Sequence, residues 1–390
     1  MSKAKKPKKQ DTRLAHAGRD PARFNGFVNT PIYRGSTVLY PTLQCLEAND
    51  QDYSYGRLGT PTVDALQDAL AELEGGHATL LTPSGLSAIC TALLSFVSSG
   101  DHILVSDSVY RPTRRFCENV LKRLGVTTTY YDPLIGAGIA KLLTDKTKAV
   151  FAESPGSQTF EVQDIPAICD AAHARGAVVI LDNTWATPLY FKPFSHGVDV
   201  SIHAATKYIV GHADAMLGVI TTAKATTSAV ARTHDEFGLC PGPEDVYLGL
   251  RGLRSLSVRL QRHEASGLAM AEWLAERPEV ARVIHPALQG DAGHALWQRD
   301  FTGASGLFSI VLKPCSHAAL AAMVDDLELF GMGYSWGGYE SLILPFDPSA
   351  YRSATTWPME GPALRLHIGL EDVEDLKADL AAGFARLSNT

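Results

Sequence analysis

The chain has 390 residues, 45% of them hydrophobic and 20% charged, with a formal net charge of −7. That length supports two or more domains with substantial cores. The acidic balance gives no electrostatic reason to expect nucleic acid or an anionic membrane as the main partner. No apolar run approaches the length that spans a bilayer, and the lysine-rich residues 1–10 lead into no apolar segment, unlike a secretory signal. The cytoplasm is the expected compartment. Six cysteines stand singly, at 45, 90, 117, 169, 240 and 315, without a CxxC pair. They read as buried free thiols rather than disulfides or a zinc site, and no metal is expected.

In chain order, Lys3, Lys5, Lys6, Lys8 and Lys9 form a basic tail that reads as disordered, with a weak nucleic-acid arm as the alternative. Residues 11–53 mix Gly, Pro, Asn and aromatics without sustained periodicity. They read as an extended arm that packs on a neighbouring subunit. From Thr60 the pattern turns regular. Val63, Leu66, Leu70 and Leu73 recur at helical spacing, and Gly75-Gly76 stop the helix. Strands are then predicted at 78–82, 102–106, 126–131, 149–152 and 177–182. Helices are predicted at 85–97, 112–124, near Ile139 and at 164–174. The alternation implies a mainly parallel sheet with helices on both faces, and ligands at the carboxyl ends of its strands.

The run 177–181, Ala-Val-Val-Ile-Leu, ends at Asp182, and a second β-rich run, 198–202, leads to Lys207. An acid closing one buried strand and a lysine just after another suit pyridoxal phosphate (PLP). That cofactor needs a lysine to hold its aldehyde and an acid facing its ring nitrogen. After 216–220 a helical region broken around 238–243 continues through 244–276. A second α/β unit follows, with a strand at 307–312, a helix at 317–328, a strand at 364–368 and a closing helix at 373–385. The expected division is an arm at 1–55, a cofactor domain at 56–250 and a C-terminal domain at 251–390.

Other residues bear on the same chemistry. Ser84-Gly85-Leu86 is a strand-to-helix turn whose N–H groups suit a phosphate. Tyr110 follows a strand and can stack on a flat ring. Tyr55-Gly56-Arg57 offers a phenol and a guanidinium to a phosphate. Arg365 lies in an apolar strand and needs an anion, either a substrate carboxylate or an internal acid. The Gly-interrupted turn 334–341 forms a pocket wall or a packed turn. His203 and His212, without a third ligand at metal spacing, read as supports behind the site or as structural residues.

Taken together, these residues resemble the Cys/Met-metabolism family of PLP enzymes, most closely its bacterial β-lyase branch. The specific segments are Tyr55-Gly56-Arg57, Ser84-Gly85, Glu153-Ser154-Pro155-Gly156, Asp182 to Ala186, Ala204 to Tyr208 with Gly211-His212 and Asp214 to Met216, Arg251 to Arg254, Tyr334 to Leu342, and Arg365 to Gly369. The resemblance implies the aspartate aminotransferase type I fold, with a large sheet domain and a smaller C-terminal α/β domain. It implies a catalytic set of Lys207, Tyr110 and Asp182. Gly85, Leu86 and Thr206 would hold the cofactor phosphate, and Tyr55 and Arg57 would reach it from an adjacent subunit of a homotetramer. Arg365, Ser335, Trp336 and Tyr55 would hold the substrate. Ala204 stands where several relatives carry a phosphate-binding Ser. Tyr334 stands where γ-lyases and γ-synthases carry Glu, which is the β-lyase pattern. The implied reaction is carbon–sulfur β-elimination from L-cystathionine, in methionine biosynthesis. The alternatives are a cysteine-conjugate β-lyase, γ-elimination or γ-replacement on the same fold, or a non-catalytic regulator using the basic tail. Residues 237–243 depart from the bacterial β-lyase pattern.

Overall fold

The computed structural model describes residues 8–358 and 360–388. Most of the lysine tail therefore lies outside the described residues. The arm is not simply extended. It contains helices α1 (Gln10–His16) and α2 (Leu43–Ala48) and a 3-10 turn at Pro21–Phe24. Helix α2 buries none of its residues, so no apolar period announces it.

Helix α3 (Pro61–Glu74) forms as its signals predict. The Thr60 hydroxyl accepts from the Val63 N–H at 3.3 Å, Pro61 opens the first turn, and Gly75 at φ +78° closes the last. Strands β1 (Ala78–Thr82), β2 (His102–Ser106), β3 (Thr127–Tyr131), β4 (Thr147–Glu153), β5 (Val178–Asp182), β6 (Val200–Ala204) and β7 (Gly218–Thr222) make one sheet, ordered β1-β7-β6-β5-β4-β2-β3. Only β7 runs against the rest. Helices α4 (Gly85–Leu94), α5 (Arg111–Phe116), α6 (Ile165–His173) and α7 (Thr187–Tyr190) lie among the strands. Helix α4 stops at Leu94, earlier than its apolar run, and α5 passes at Cys117–Leu121 into a π-helical turn that no residue pattern marks. The sheet separates two cores: Val179 and Leu181 join one, Ile180 the other, as the two-residue strand period requires.

Helices α8 (Thr227–Glu236), α9 (Pro243–Leu253) and α10 (Leu256–Ala275) follow. The single helical stretch expected over 244–276 is in fact broken at Arg254-Ser255. Helix α10 carries Leu256 and Leu260 into the first core and Met270 and Leu274 into a third. That third core underlies a second sheet, ordered β10-β11-β12-β9-β8, from β8 (Val280–Ile284), β9 (Leu307–Leu312), β10 (Gly331–Met332), β11 (Leu342–Phe346) and β12 (Ala363–His367). Helices α11 (His294–Asp300), α12 (His317–Val324) and α13 (Val373–Ser388) complete the unit. The six cysteines are free, but only Cys117 and Cys169 are buried and Cys240 is exposed. The expectation of buried thiols therefore holds for two of them.

Candidate active site

The carboxyl ends of β1, β2, β4, β5 and β6 share one edge of the large sheet. Asp182 closes β5 there, buried, and its Oδ1 accepts the Thr184 N–H at 3.0 Å and the Thr184 hydroxyl at 2.5 Å. The Thr184 Oγ1 in turn accepts the Ala204 N–H at 2.9 Å, which ties β5 to the end of β6. Burial pushes the Asp182 acid up; the Thr184 bonds and the positive charges of His203 and Lys207 oppose it.

Three residues beyond β6, Lys207 extends its Nζ to 2.5 Å from Ser335 Oγ and 5.4 Å from the Trp336 ring centre. Burial and the neighbouring Arg365 charge lower its amine to about 8, against the pull of Asp182. A lysine near neutrality is one that serves as a nucleophile or base.

Tyr110 precedes α5 and is 44% exposed, so its ring faces open space. Its N–H donates to Glu153 Oε2 at 2.6 Å. Glu153 pairs with Asp182 across the parallel β4–β5 ladder, so the two carboxyls stand side by side. Burial first, and Asp182 second, push Glu153 well above the usual carboxylate range. Burial raises the Tyr110 phenol, Glu153 and Asp182 raise it further, and Arg365 opposes them, so these groups converge on one space. The sequence shows Glu153 at the end of an apolar strand, as it shows Asp182, but not that they are abreast.

The phosphate-type turn is built at the start of α4. Ser84 Oγ accepts the Ser87 N–H at 3.2 Å, leaving the first-turn N–H groups at Gly85 and Leu86 outside the helical ladder. Gly85 is required by contact. A Cβ there would come 2.5 Å from Ala204 Cβ and 2.8 Å from Ala204 Cα. Thr206 holds the same corner, its Oγ1 accepting the Leu217 N–H at 3.0 Å.

Arg365 is 7% exposed. Its Nη2 donates to the Ser335 carbonyl at 2.8 Å, its Nε has no partner, and among the described residues no carboxylate pairs with it. The internal-acid alternative thus finds no acid. Burial lowers the guanidinium to about 10, with Tyr110 and Tyr334 opposing.

Tyr55 and Arg57 stand apart from this group. They line a separate cleft of about 290 Å³ with Tyr33, Cys240 and Pro241, so the divergent residues 237–243 border it. Arg57 Nη1 pairs there with Asp235 at 2.6 Å. His203 is buried with its Nε2 against a Glu74 carboxylate oxygen, and His212 donates from Nδ1 to the Val210 carbonyl at 2.7 Å. Among the described residues no group of three His, Cys, Asp or Glu has metal-ligand placement. None of the helices described is long and apolar enough to cross a membrane.

These residues fit PLP. The site offers a lysine near neutrality, an acid at a strand end, helix-start N–H groups with a glycine approach, and a buried guanidinium that has no anion of its own.

The comparisons agree. The family model described as Cys/Met metabolism PLP-dependent enzyme matches residues 11–385. A putative cystathionine beta-lyase of Rhizobium johnstonii is 52% identical, over 97% of this chain and 96% of that protein. The cystathionine beta-lyase MetC of Escherichia coli is 47% identical, over 97% and 99%. A solved structure of cystathionine gamma synthase from Xanthomonas oryzae pv. oryzae in complex with cystathionine superposes with a TM-score of 0.91 at 33% identity, covering 98% of this chain and 100% of that one. The fold is the type I fold of PLP enzymes, the cofactor is pyridoxal 5′-phosphate, and the substrate is a small molecule of the amino-acid class. The chain belongs to the Cys/Met metabolism family of PLP-dependent enzymes.

Proposed function

We propose that this enzyme catalyses the α,β-elimination of L-cystathionine, taking up one water and releasing homocysteine, pyruvate and ammonia. The observation that carries the reading is the convergence of Lys207, Asp182, Tyr110 and the unpaired Arg365 at one edge of the sheet. The names of the Rhizobium and Escherichia relatives support cystathionine as the substrate.

PLP, when bound, supplies an electron sink for negative charge developing at the amino-acid α-carbon. Lys207 anchors the cofactor, and its freed amine takes the Cα proton. The closed surroundings that lower it to about 8 favour the neutral, basic form. Asp182 holds the proton of the ring nitrogen, and Tyr110 covers the ring. Gly85, Leu86 and Thr206 hold the phosphate. Arg365 grips the substrate α-carboxylate through its planar fork, with Ser335 and Trp336 beside it, and that grip aims the Cα–H bond at Lys207.

Tyr55 and Arg57 are assigned to the site of an adjacent subunit, because their cleft includes none of Lys207, Asp182 or Arg365. The arm supports such a partner, with Phe27 70% exposed, Leu39 83% and Leu43 69%. We assign the assembly as a homotetramer of such dimers, and the compartment as the cytoplasm. The products test the reaction. Pyruvate and homocysteine in equal amounts are expected from L-cystathionine, and 2-oxobutyrate in place of pyruvate would overturn the reading.

A further inference from the structure

Strand β12 sends Leu364 and Leu366 into the third core. By the two-residue strand period, Arg365 and His367 take the opposite face. Both are buried, at 7% and 0% exposure, and they grip the two sides of one turn. Arg365 donates to the Ser335 carbonyl at 2.8 Å. His367 Nε2 lies 3.1 Å from the Gly337 nitrogen and 3.2 Å from the Gly338 carbonyl oxygen, accepting from the one or donating to the other according to its tautomer. Between these grips Ser335 sits at φ +78°, a left-handed conformation that is unfavourable for any residue but glycine. Its Oγ reaches Lys207 Nζ at 2.5 Å. Gly337, at φ +84°, presses so closely that a Cβ would come 2.9 Å from the Lys207 carbonyl carbon. The turn therefore rests on the lysine itself, in a shape the chain does not adopt unaided.

Nε2 thus stands between an N–H and a carbonyl while Nδ1 has no partner among the described residues, and either neutral tautomer of the ring ties it to the turn. The surroundings keep the ring neutral. The His367 ring packs 5.2 Å from His263 and 5.9 Å from Tyr208. Burial holds His367 well below the usual histidine range and lowers His263 to about 4. His263 spends its Nδ1 proton on the Ile368 carbonyl at 2.8 Å, which fixes the strand end beside His367.

We propose that His367 is a positioning residue: through the hydrogen bond of its Nε2 to the Gly337–Gly338 backbone it holds Ser335 in its left-handed conformation, and so sets the Ser335–Arg365 geometry that receives the amino-acid carboxylate. This rests on the reading of Arg365 and Ser335 as the carboxylate site, so the test carries a control for that reading.

Glycine brings an amine and a carboxylate but no leaving group, and its binding to the holoenzyme is read from the visible absorption band. His367→Leu removes the polar contact, and His367→Asn keeps polarity but falls short of Gly337 and Gly338. Each is expected to weaken glycine binding and lower kcat/KM for cystathionine about tenfold or more. His367→Gln, whose amide end reaches the place of Nε2 and can accept or donate there, is expected to stay within about threefold of wild type. The circular dichroism of the bound cofactor should be unchanged in all three. If the Leu variant does not fold, the Asn and Gln pair gives the same comparison. Wild-type glycine binding in the Leu and Asn variants, or a Gln variant no better than Asn, overturns the inference. In the control, Arg365→Lys is expected to bind glycine weakly. Wild-type binding by that variant would sink the carboxylate reading itself, whereas weak binding there beside normal His367→Asn would sink only the role of His367.

Discussion

Replacing Arg365 by lysine keeps the charge and removes the fork. Arg365 is buried, spends one N–H on the Ser335 carbonyl, leaves Nε unpartnered, and faces no internal carboxylate among the described residues. A carboxylate gripped at two points makes two charge-assisted hydrogen bonds, each worth about 1.5–3 kcal/mol. Lysine keeps one of them, so the loss is about 1.5–3 kcal/mol, or roughly 10- to 150-fold in kcat/KM for cystathionine. Arg365→Ala loses both and should fall by more than about 10²-fold. Stability should move the other way from an ion-pair loss. No internal salt bridge breaks, and a desolvated, unpaired guanidinium disappears, so the melting temperature should stay within about 3 °C of wild type. The assay measures kcat/KM, melting temperature and the visible cofactor band on the same preparations. A sharp fall in melting temperature with near-normal kcat/KM would refute the reasoning, because Arg365 would then be holding the protein rather than the substrate.

Lys207, lowered to about 8 by burial and by Arg365, is neutral above that pH. The rate at which cofactor-free enzyme captures PLP should therefore rise to about pH 8 and level off, and Arg365→Ala should move the plateau upward. A rate still climbing toward pH 10, as for an ordinary lysine, would contradict the lowered amine. Mixing inactive Arg57→Ala with inactive Lys207→Ala protein should restore some activity, since in a mixed dimer one site inherits both defects and the other neither. Proven subunit exchange without recovery would place the whole site within one chain. Gly85→Ala puts a methyl 2.5 Å from Ala204 Cβ, and overpacking of about 1–3 kcal/mol should weaken cofactor retention in dialysis. Retention equal to wild type would show that the α4 turn is not the phosphate seat.

Much of the large sheet was legible because its strands are apolar runs bounded by glycines and acids, and buried parallel strands carry that signal most clearly. Asp182 and Lys207 stood out for the same reason, as charges at the ends of such runs. Helix α2 did not, because it buries no side chain. The break at Arg254-Ser255 was hidden because α9 and α10 continue one helical composition across it. Within the site, whatever depends on strand register was out of reach. Glu153 lies beside Asp182 only through the β4–β5 pairing, and Asp107 accepts the N–H groups of Ser353, Ala354 and Thr355 across a separation that no local pattern announces. The two readings of Arg365 stayed open until the position of every nearby acid was known.

The central claim is that Lys207 is the residue that holds the cofactor. The direct measurement reduces the holoenzyme with borohydride, digests it and locates the pyridoxyl group by mass spectrometry. One modified peptide is expected, carrying the group on Lys207. A pyridoxyl group on another lysine, with Lys207 unmodified, would contradict it.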